Sequence, residues 1–268
     1  GRVARQQTVG ALQLPLSNCG VMALDYKGKK GIATAVGHAP LSALIDPAKG
    51  SINAIAESLT NIIWAPLEGG LSGVSLSANW MWPCNNPGED ARLYKAVEAC
   101  SEFAIALGIN IPTGKDSLSM KQQYDDLTVT APGTVIISAA GACIEINKVV
   151  TPDIKKDGGK LYYIDLSGEK ASLGGSSLGQ VLNKIGNQTA TVNDPAYFKL
   201  VFNEVQTLIV QDKISSGHDI SSGGLITTLL EMCFPCVNIG LEINLSTLNE
   251  ADNIALLFSE NPGIVLQS

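Results

Sequence analysis

The sequence predicts an α+β fold made of two domains, residues 1–150 and 151–268. Apolar strand-like runs are interspersed with long amphipathic segments of helical period, in a mixed order typical of α+β layers. A polar, glycine-rich stretch at 151–159 interrupts this pattern and indicates a domain boundary. The chain has 268 residues and is 45% hydrophobic, which is enough to build a core in each half.

The first half is predicted to begin with a β-hairpin. Leucines alternate with other residues over 12–16, a polar turn occupies 27–30, and a second apolar run spans 32–36. Ser51 is placed to cap a helix that ends near Trp64. One side of this helix is apolar (Ile55, Ala56, Leu59, Ile62, Ile63), and the other side carries Asn53, Glu57 and Asn61. A strand at 74–76, a helix from 87 to 107 with acidic residues in its first turn, and a buried strand at 135–146 complete this half.

The second half repeats the mixture of strands and helices on a smaller scale. The apolar pattern predicts strands at 161–164, 237–243 and 264–266, and helices at 177–185, 194–213 and 225–232. Each half should therefore form its own α+β layer.

Charge and composition narrow the classes of partner. The chain carries 25 acidic and 18 basic residues, a net charge of −7, without a block of lysine or arginine, so we expect no nucleic-acid partner. No signal peptide or apolar run of about 18 residues is present, so we expect a soluble, cytoplasmic protein with no membrane association. A polyanionic ligand would have to be held by backbone N–H groups, isolated lysines or a divalent cation.

The positions of the cysteines indicate a role in packing the core more than in redox or metal chemistry. Most of the six lie in apolar runs and resemble small buried hydrophobic residues. Cys233 and Cys236 form a single C-x-x-C pair, which could serve redox or metal chemistry or simply pack at the end of a helix.

Two polar residues of the first predicted helix could bind a cation. Glu57 and Asn61 are four residues apart, so their side chains leave the same helix face about one turn apart. The same spacing is equally typical of a solvated helix face. Spacing alone leaves both interpretations open.

The stretch Gly114-Lys-Asp-Ser117 resembles a phosphate-binding P-loop but does not fit the motif. Five residues, not four, separate Gly108 from Gly114, and Asp116 follows the lysine where the motif requires Ser or Thr. Lys115 could still meet a phosphate as a point charge, and a surface turn is an equally good interpretation.

Two short glycine-rich segments could each bind an anion at the start of a helix. Residues 173–176 and 221–224 both place serine and glycine before an apolar helical run, which leaves backbone N–H groups accessible. Ordinary serine capping would need no ligand. His218-Asp219 precedes the second segment, so Asp219 favours a ligand site only if other carboxylates meet it.

Six blocks of the sequence, in this order, resemble the second half of the large, single-chain members of the phosphoribosylformylglycinamidine synthase family. They are Pro15-Leu-Ser-Asn-Cys19, Ala56-Glu-Ser-Leu-Thr-Asn61, Leu76-Ser-Ala-Asn-Trp80, Pro87-Gly-Glu-Asp90, Gly114-Lys-Asp-Ser-Leu-Ser-Met120 and His218-Asp-Ile-Ser-Ser-Gly-Gly224. The resemblance covers essentially the whole chain.

The resemblance implies N-terminal and C-terminal domains like those of aminoimidazole ribonucleotide synthase, with ATP and magnesium bound where N-terminal domains associate. It implies a purine-biosynthesis ligase that uses ATP and glutamine to convert formylglycinamide ribonucleotide to the amidine. This sequence resembles only the second of two copies of the domain pair. It starts at Gly1 and stops before a glutaminase domain, so we expect a fragment that lacks its first-half and glutaminase partners and is inactive alone.

The same resemblance implies the ligand residues. Magnesium ligands would be Asn18, Glu57, Asn61 and Asp219, and nucleotide contacts would be Ser17 and Ser221, with ATP or ADP as the nucleotide. We expect His218 to orient its turn and not to act in catalysis, and the catalytic residues stay unknown.

Two positions depart from the family pattern. Asn18 stands where we expect aspartate, and Ser222 stands where relatives often have aspartate, so the site loses negative charge that a hard cation favours. These departures fit an auxiliary nucleotide site.

They also motivate an alternative function, a scaffolding module with a vestigial nucleotide pocket. A kinase-like or selenophosphate-type member of the superfamily fits less well, because such members lack the 114–120 block. An apolar face left by the missing half could support a homodimer formed through the first domain.

Overall fold

The computed structural model describes residues 1–248, 250 and 252–268, and its first half contains a six-stranded sheet. The strands of this half are β1 (Val3–Arg5), β2 (Thr8–Val9), β3 (Leu14–Pro15), β4 (Cys19–Ala23), β5 (Gly31–His38), β6 (Ser75–Met81), β7 (Asn110–Ser117), β8 (Lys121–Tyr124), β9 (Leu127–Thr130) and β10 (Thr134–Cys143). Its helices are α1 (Pro40–Ile45), α2 (Pro47–Ile62) and α3 (Glu89–Leu107). The sheet order is β1-β4-β5-β10-β6-β7, with β6 and β7 parallel and the other neighbours antiparallel.

One face of the six-stranded sheet is covered and the other is open. The eight residues of β5 are alternately buried and exposed, as the period of two along a strand requires. Helix α2 packs against β5 and β10, and α3 packs on α2. The open face exposes large apolar side chains, among them Val3, Met22, Ile32 and Val36.

Helix α2 begins five residues earlier than predicted. Asp46 caps it by accepting bonds from the N–H groups of Ala48 and Lys49, and Pro47 follows at the first helical position, where its missing N–H costs nothing. The predicted cap, Ser51, is instead buried inside the helix and donates to the carbonyl of Ala96 on α3. The predicted C-terminal end near Trp64 is correct.

The second half contains a three-stranded antiparallel sheet in the order β11-β13-β12. Its elements are β11 (Leu161–Asp165), α4 (Ser177–Val181), α5 (Pro195–Val210), β12 (Ser216–Ile220), α6 (Gly224–Cys233), α7 (Asn253–Phe258) and β13 (Gly263–Gln267). All residues of β12 and β13 are buried. A small apolar core forms between this sheet and α6.

Helix α5 joins the two halves. Phe198 on α5 packs edge-on against Phe103 of α3, so one apolar core is continuous across both halves. The buried side chain of Gln206 donates to the carbonyl of Ala65, 3.0 Å away, and accepts from the N–H of Leu67 at 2.7 Å. These bonds satisfy backbone groups in the segment that leaves α2.

Several predicted elements are wrong. The hairpin around the 27–30 turn is formed by β4 and β5, while residues 14–15 pair with β2. Residues 237–243 form irregular backbone and not a strand. Residues 114–117, for which a surface turn and a phosphate-binding loop were both open, lie in strand β7. His218 and Asp219 lie in strand β12, and only the serine and glycine residues after them form the turn before α6. The helix from 87 and the strands at 135 and 264 are correct to within a few residues.

Within the described part of the chain, no helix is both long and apolar enough to cross a bilayer.

All six cysteines are free thiols. Cys233 and Cys236 lie at the end of α6 and pack against the small core, where burial raises the pKa of both thiols. This environment fits the packing interpretation of the C-x-x-C pair.

Candidate functional site

The polar side of α2 faces the end of β5 and not solvent. The Glu57 carboxylate accepts a bond from the N–H of His38 at 2.6 Å, and the Asn61 amide nitrogen donates to the carbonyl of Val36 at 2.9 Å. Asn61 is only 4% exposed, and its side-chain oxygen is buried without a hydrogen-bond partner in the described residues. The solvated-face interpretation of this pair is therefore wrong.

Asp219 reaches the same region from the second half. It lies on β12, which packs against α2, and it is 1% exposed. Its Oδ1 atom accepts from the Asn18 amide nitrogen at 3.0 Å, across 201 positions of sequence, and lies 2.9 Å from Nδ1 of His218. Its Oδ2 atom is enclosed and has no hydrogen-bond partner among the described residues. Asp219 thus holds a negative charge with one free oxygen inside the protein.

His218 balances the charge of Asp219. Its ring lies between two carboxylates, with Nε2 2.9 Å from Oε2 of Glu231 and Nδ1 against Asp219. Burial by itself would lower the pKa of His218, but the two carboxylates outweigh it and raise the pKa to about 9. The imidazolium and the Asn18 amide in turn lower the pKa of Asp219 against the effect of burial. This arrangement supports the predicted orienting role of His218.

Glu57 is perturbed in the opposite direction. Burial raises the pKa of its carboxyl to about 8, the His38 N–H bond opposes this shift, and the charges of Asp219 and Glu260 add to it. An ionised Glu57 would therefore be repelled by Asp219, and with a pKa of about 8 its carboxyl is mostly protonated at neutral pH. A cation between them would relieve that repulsion.

The side-chain oxygens in this region are of the chemical type that binds a hard divalent cation. Glu57, Asn61 and Asp219 offer carboxylate and amide oxygens, the ligands that magnesium prefers. Asn18 presents its amide nitrogen to Asp219 and not an oxygen to the same space. In the described ranges, no group of three or more His, Cys, Asp and Glu residues is arranged to hold a metal ion. A cation here would depend on two carboxylates and an amide.

The two predicted nucleotide contacts occupy different positions. Ser221 lines a cavity of about 330 Å³ that also touches Glu57, His38 and Ser42. Ser17 is buried away from this cavity, where its hydroxyl accepts from Nε of Arg5 at 2.7 Å and donates to the carbonyl of Cys19. The structure thus brings Ser221 and Glu57 to one cavity and leaves Ser17 outside its lining. Three of the predicted metal ligands are also outside this lining, namely Asn18, Asn61 and Asp219.

The two glycine-rich segments that could bind an anion instead bind a carboxylate of the protein itself. The sequence did not suggest this residue. One oxygen of Glu260 accepts from the N–H groups of both Ser177 and Gly223, each at 2.7 Å, and so joins the two glycine-rich turns. Ser176 caps the short helix α4 by accepting from the N–H of Gly179. Glu260 lies 37 residues beyond Gly223, so no local spacing could have revealed it.

Lys115 lies outside this region. It is exposed on β7 at the edge of the six-stranded sheet, with its ammonium 2.6 Å from the Ser117 hydroxyl. A separate cavity of about 490 Å³ lies here, lined by Lys115, Asp116 and Trp80. The structure does not join the 115–117 segment to the carboxylate pair.

The similarity to known proteins covers the whole chain. A family model described as "FGAR-AT PurM_N-like domain" matches residues 1–142, and one described as "AIR synthase related protein, C-terminal domain" matches residues 156–267. The chain is 45% identical over its full length to an Arabidopsis thaliana protein named probable phosphoribosylformylglycinamidine synthase, chloroplastic/mitochondrial. It covers 19% of that protein, so the chain spans about one fifth of the length of the curated relatives it matches.

Solved structures show the same fold. PurL from Thermotoga maritima, complexed with FGAR, matches 94% of this chain with a TM-score of 0.66 and 15% identity, and the chain covers 40% of it. The complex of the same protein with ADP matches 99% of this chain with a TM-score of 0.65 and 13% identity, over 38% of its own length. At these identities the match concerns the fold, two PurM-like domains of mixed α and β structure. The first family model alone matches more than half of the chain, and the protein therefore belongs to the phosphoribosylformylglycinamidine synthase family.

Proposed function

We propose that this chain holds a magnesium-bound nucleotide, ATP or ADP, within a longer phosphoribosylformylglycinamidine synthase. The observations that carry the proposal are two enclosed oxygens without partners, one on Asn61, a turn along α2 from Glu57, and one on Asp219, whose charge raises the pKa of Glu57. Enclosed acceptors without a hydrogen bond are costly, so a ligand that supplies positive charge would stabilise them.

Magnesium would be held by Glu57, Asn61 and Asp219. When bound, it would neutralise the carboxylates and supply the positive charge that a polyphosphate in this cavity needs. Ser221 lines the cavity and could donate its hydroxyl to a phosphate. His218 and Asn18 would keep Asp219 ionised and fixed in position.

The position of Glu260 indicates that phosphate binding in this cavity would require the metal. The N–H groups of Ser177 and Gly223, which could otherwise bind an anion, already donate to this carboxylate. A phosphate in the cavity would meet the Glu260 carboxylate, which would repel it unless a cation intervened.

A second candidate function is a scaffolding module with a vestigial pocket. It is favoured by Asn18, whose amide donates to Oδ1 of Asp219 and so satisfies part of that carboxylate without a metal. The oxygens of Asn61 and Asp219 that lack partners favour the first function, because a scaffolding module would not need them.

Calorimetric titration with ADP in the presence of magnesium separates these functions. We expect saturable binding that requires magnesium and weakens by about tenfold or more in Glu57→Ala and in Asp219→Ala, since each removes a charged ligand. Glu102→Ala, on the exposed side of α3, is the matched control and should bind like the parent. Equal binding in all variants, or none in the parent, would leave the scaffold.

The larger reaction belongs to the longer protein. We propose that the domains 1–150 and 151–268 act with a first-half domain pair and a glutaminase domain, as an ATP-dependent carbon–nitrogen ligase with glutamine as the amide donor and formylglycinamide ribonucleotide as substrate. The T. maritima complexes with FGAR and with ADP support this choice of ligands. The chain alone should form no amidine, and adding the remaining domains should produce glutamine-dependent amidine formation.

A further inference from the structure

Arg5 is a buried cation that lacks a full set of acceptors. Its side chain is 6% exposed at the end of β1, and its Nε atom donates to the Ser17 hydroxyl at 2.7 Å. Its Nη1 atom is enclosed and has no hydrogen-bond partner in the described part of the chain. Burial lowers the pKa of Arg5 to about 10, with Cys19 and Asp153 opposing the shift, so the guanidinium stays charged at neutral pH. An enclosed charged donor without an acceptor is expensive, which points to a missing anion.

A cavity of about 490 Å³ adjoins this guanidinium. It lies between the N-terminal segment 3–13 and the loop 151–155. Its charged lining consists of Arg5, Lys155 and Asp153, which leaves one net positive charge. Lys155 donates to Asp153 and, at 3.0 Å, to the hydroxyl of Thr151.

The walls of the cavity are fixed by bonds to both halves of the protein. The N–H of Leu12 donates to the carbonyl of Pro235 at 3.1 Å, and the N–H of Ser17 donates to the carbonyl of Gln7 at 2.9 Å. The cavity is therefore preformed, which reduces the ordering that a ligand would have to impose.

We propose that this cavity binds a phosphoryl group between Arg5 and Lys155. The planar guanidinium of Arg5 lines the cavity and can donate to one oxygen while the ammonium of Lys155 meets another as a point charge. The hydroxyl of Thr151, which accepts from Lys155, lines the same space and can donate to a remaining oxygen. The bond from Arg5 to Ser17 then connects the anion to the residue before Asn18, whose amide holds Asp219.

The phosphoryl group has two sources, free phosphate or the phosphate chain of the nucleotide. Titration of the full chain with inorganic phosphate, without magnesium, tests the first source. We expect the parent to bind and Arg5→Gln to bind at least about tenfold more weakly, since a charge-assisted bond is lost. Arg2→Gln is the matched control, because Arg2 is exposed on the same segment, donates to the carbonyl of Leu24 and does not line the cavity. The proposal would be overturned if the parent does not bind phosphate, or if Arg5→Gln binds phosphate as tightly as the parent.

Asp153→Asn provides a test that does not depend on how Arg5→Gln folds. Removing this carboxylate should tighten phosphate binding several-fold, because it raises the net charge of the lining. Unchanged or weaker phosphate binding in Asp153→Asn, with Arg5→Gln equal to the parent or unfolded, would also overturn the proposal.

A nucleotide titration distinguishes the two sources. Free phosphate should bind Glu57→Ala as it binds the parent, since Glu57 lies at the other cavity. If Arg5→Gln weakens only the binding of ADP with magnesium, the phosphoryl group belongs to the nucleotide. Phosphate binding that survives the loss of nucleotide binding shows that this site stands apart from the proposed nucleotide function.

Discussion

The buried charged side chains at the candidate site lie next to one another, and most of them have a partner of opposite charge or a hydrogen-bond donor. Asp219 is held by His218 and Asn18, His218 is shared with Glu231, and Glu57 faces two further carboxylates. Because a buried charge without a partner is strongly destabilising, this network fixes the protonation state of its members. The ring of His218 is the positive charge at its centre.

The imidazolium of His218 predicts a pH dependence of stability. The pKa of His218 is raised from 6.5 to about 9 by Asp219 and Glu231, which outweigh the effect of burial. The stabilisation is therefore complete below pH 6.5 and is lost as the pH rises through about 9. We expect the melting temperature to fall over this window, and to fall less in Glu231→Gln, because that variant loses one of the two stabilising carboxylates. His38→Gln removes the other histidine and should keep the parental slope; a flat profile in the parent would contradict the assignment.

Only part of the candidate site could be predicted from the sequence. Glu57 and Asn61 share a helix, so their spacing could place them on one face. The meeting of Asp219 with Asn18 joins residues 201 positions apart, and only the family resemblance suggested it. Glu231 and Glu260 act through tertiary contacts that follow no local pattern, and Ser17 bonds to Arg5 instead of lining the cavity.

At the level of elements, α2 lies unusually close to β5. A Cβ atom added to Gly37 would lie 2.3 Å from both the carbonyl oxygen of Ala54 and the backbone nitrogen of Ser58. Both atoms belong to the helix backbone and cannot move aside locally. This close approach sets the position of Glu57, which bonds to the N–H of His38, the next residue.

Gly37→Ala should separate the helix from the strand. We expect a loss of about 1–3 kcal/mol in the free energy of unfolding, as for overpacked cores, together with weaker binding of ADP with magnesium. Chemical denaturation measures the first effect. Gly20→Ala on the neighbouring β4 is the matched control, because its added Cβ would meet its nearest atom at 3.5 Å, an ordinary contact. Equal stability of the two variants would show that the close packing is not needed.

Secondary structure was predictable where periodicity and pairing agree. The alternation along β5 and the apolar run of β10 identify strands because both pair with neighbours. The similar alternation at 237–243 does not, since periodicity describes side chains and not the presence of a pairing strand. Strand β12 was missed because its buried residues are polar or small, including Ser216, His218 and Asp219.

For the whole molecule, the open face of the six-stranded sheet is an apolar surface that no described residues cover. Met22, Ile32 and Val36 are each about half exposed on adjacent strands β4 and β5. Contiguous apolar surface of this kind usually marks an interface. We infer that this face meets another PurM-like domain, from a first-half domain pair or from a second copy.

This inference predicts self-association of the chain alone. We expect light scattering to show a concentration-dependent homodimer, and Ile32→Glu to shift it to monomer, because a charge would be buried in the apolar face. Ile105→Glu is the matched control, since Ile105 is 74% exposed on α3, away from the open face, and should leave the dimer intact. A monomer at all concentrations would contradict the prediction.

A crystal structure of this chain grown with ADP, and with manganese in place of magnesium, would show directly whether the proposed site binds a metal and a nucleotide. We expect one anomalous peak bonded to oxygens of Glu57, Asn61 and Asp219, with the nucleotide phosphates on its open side next to Ser221. A nucleotide bound elsewhere, or a metal that touches none of these three residues, would contradict the proposal.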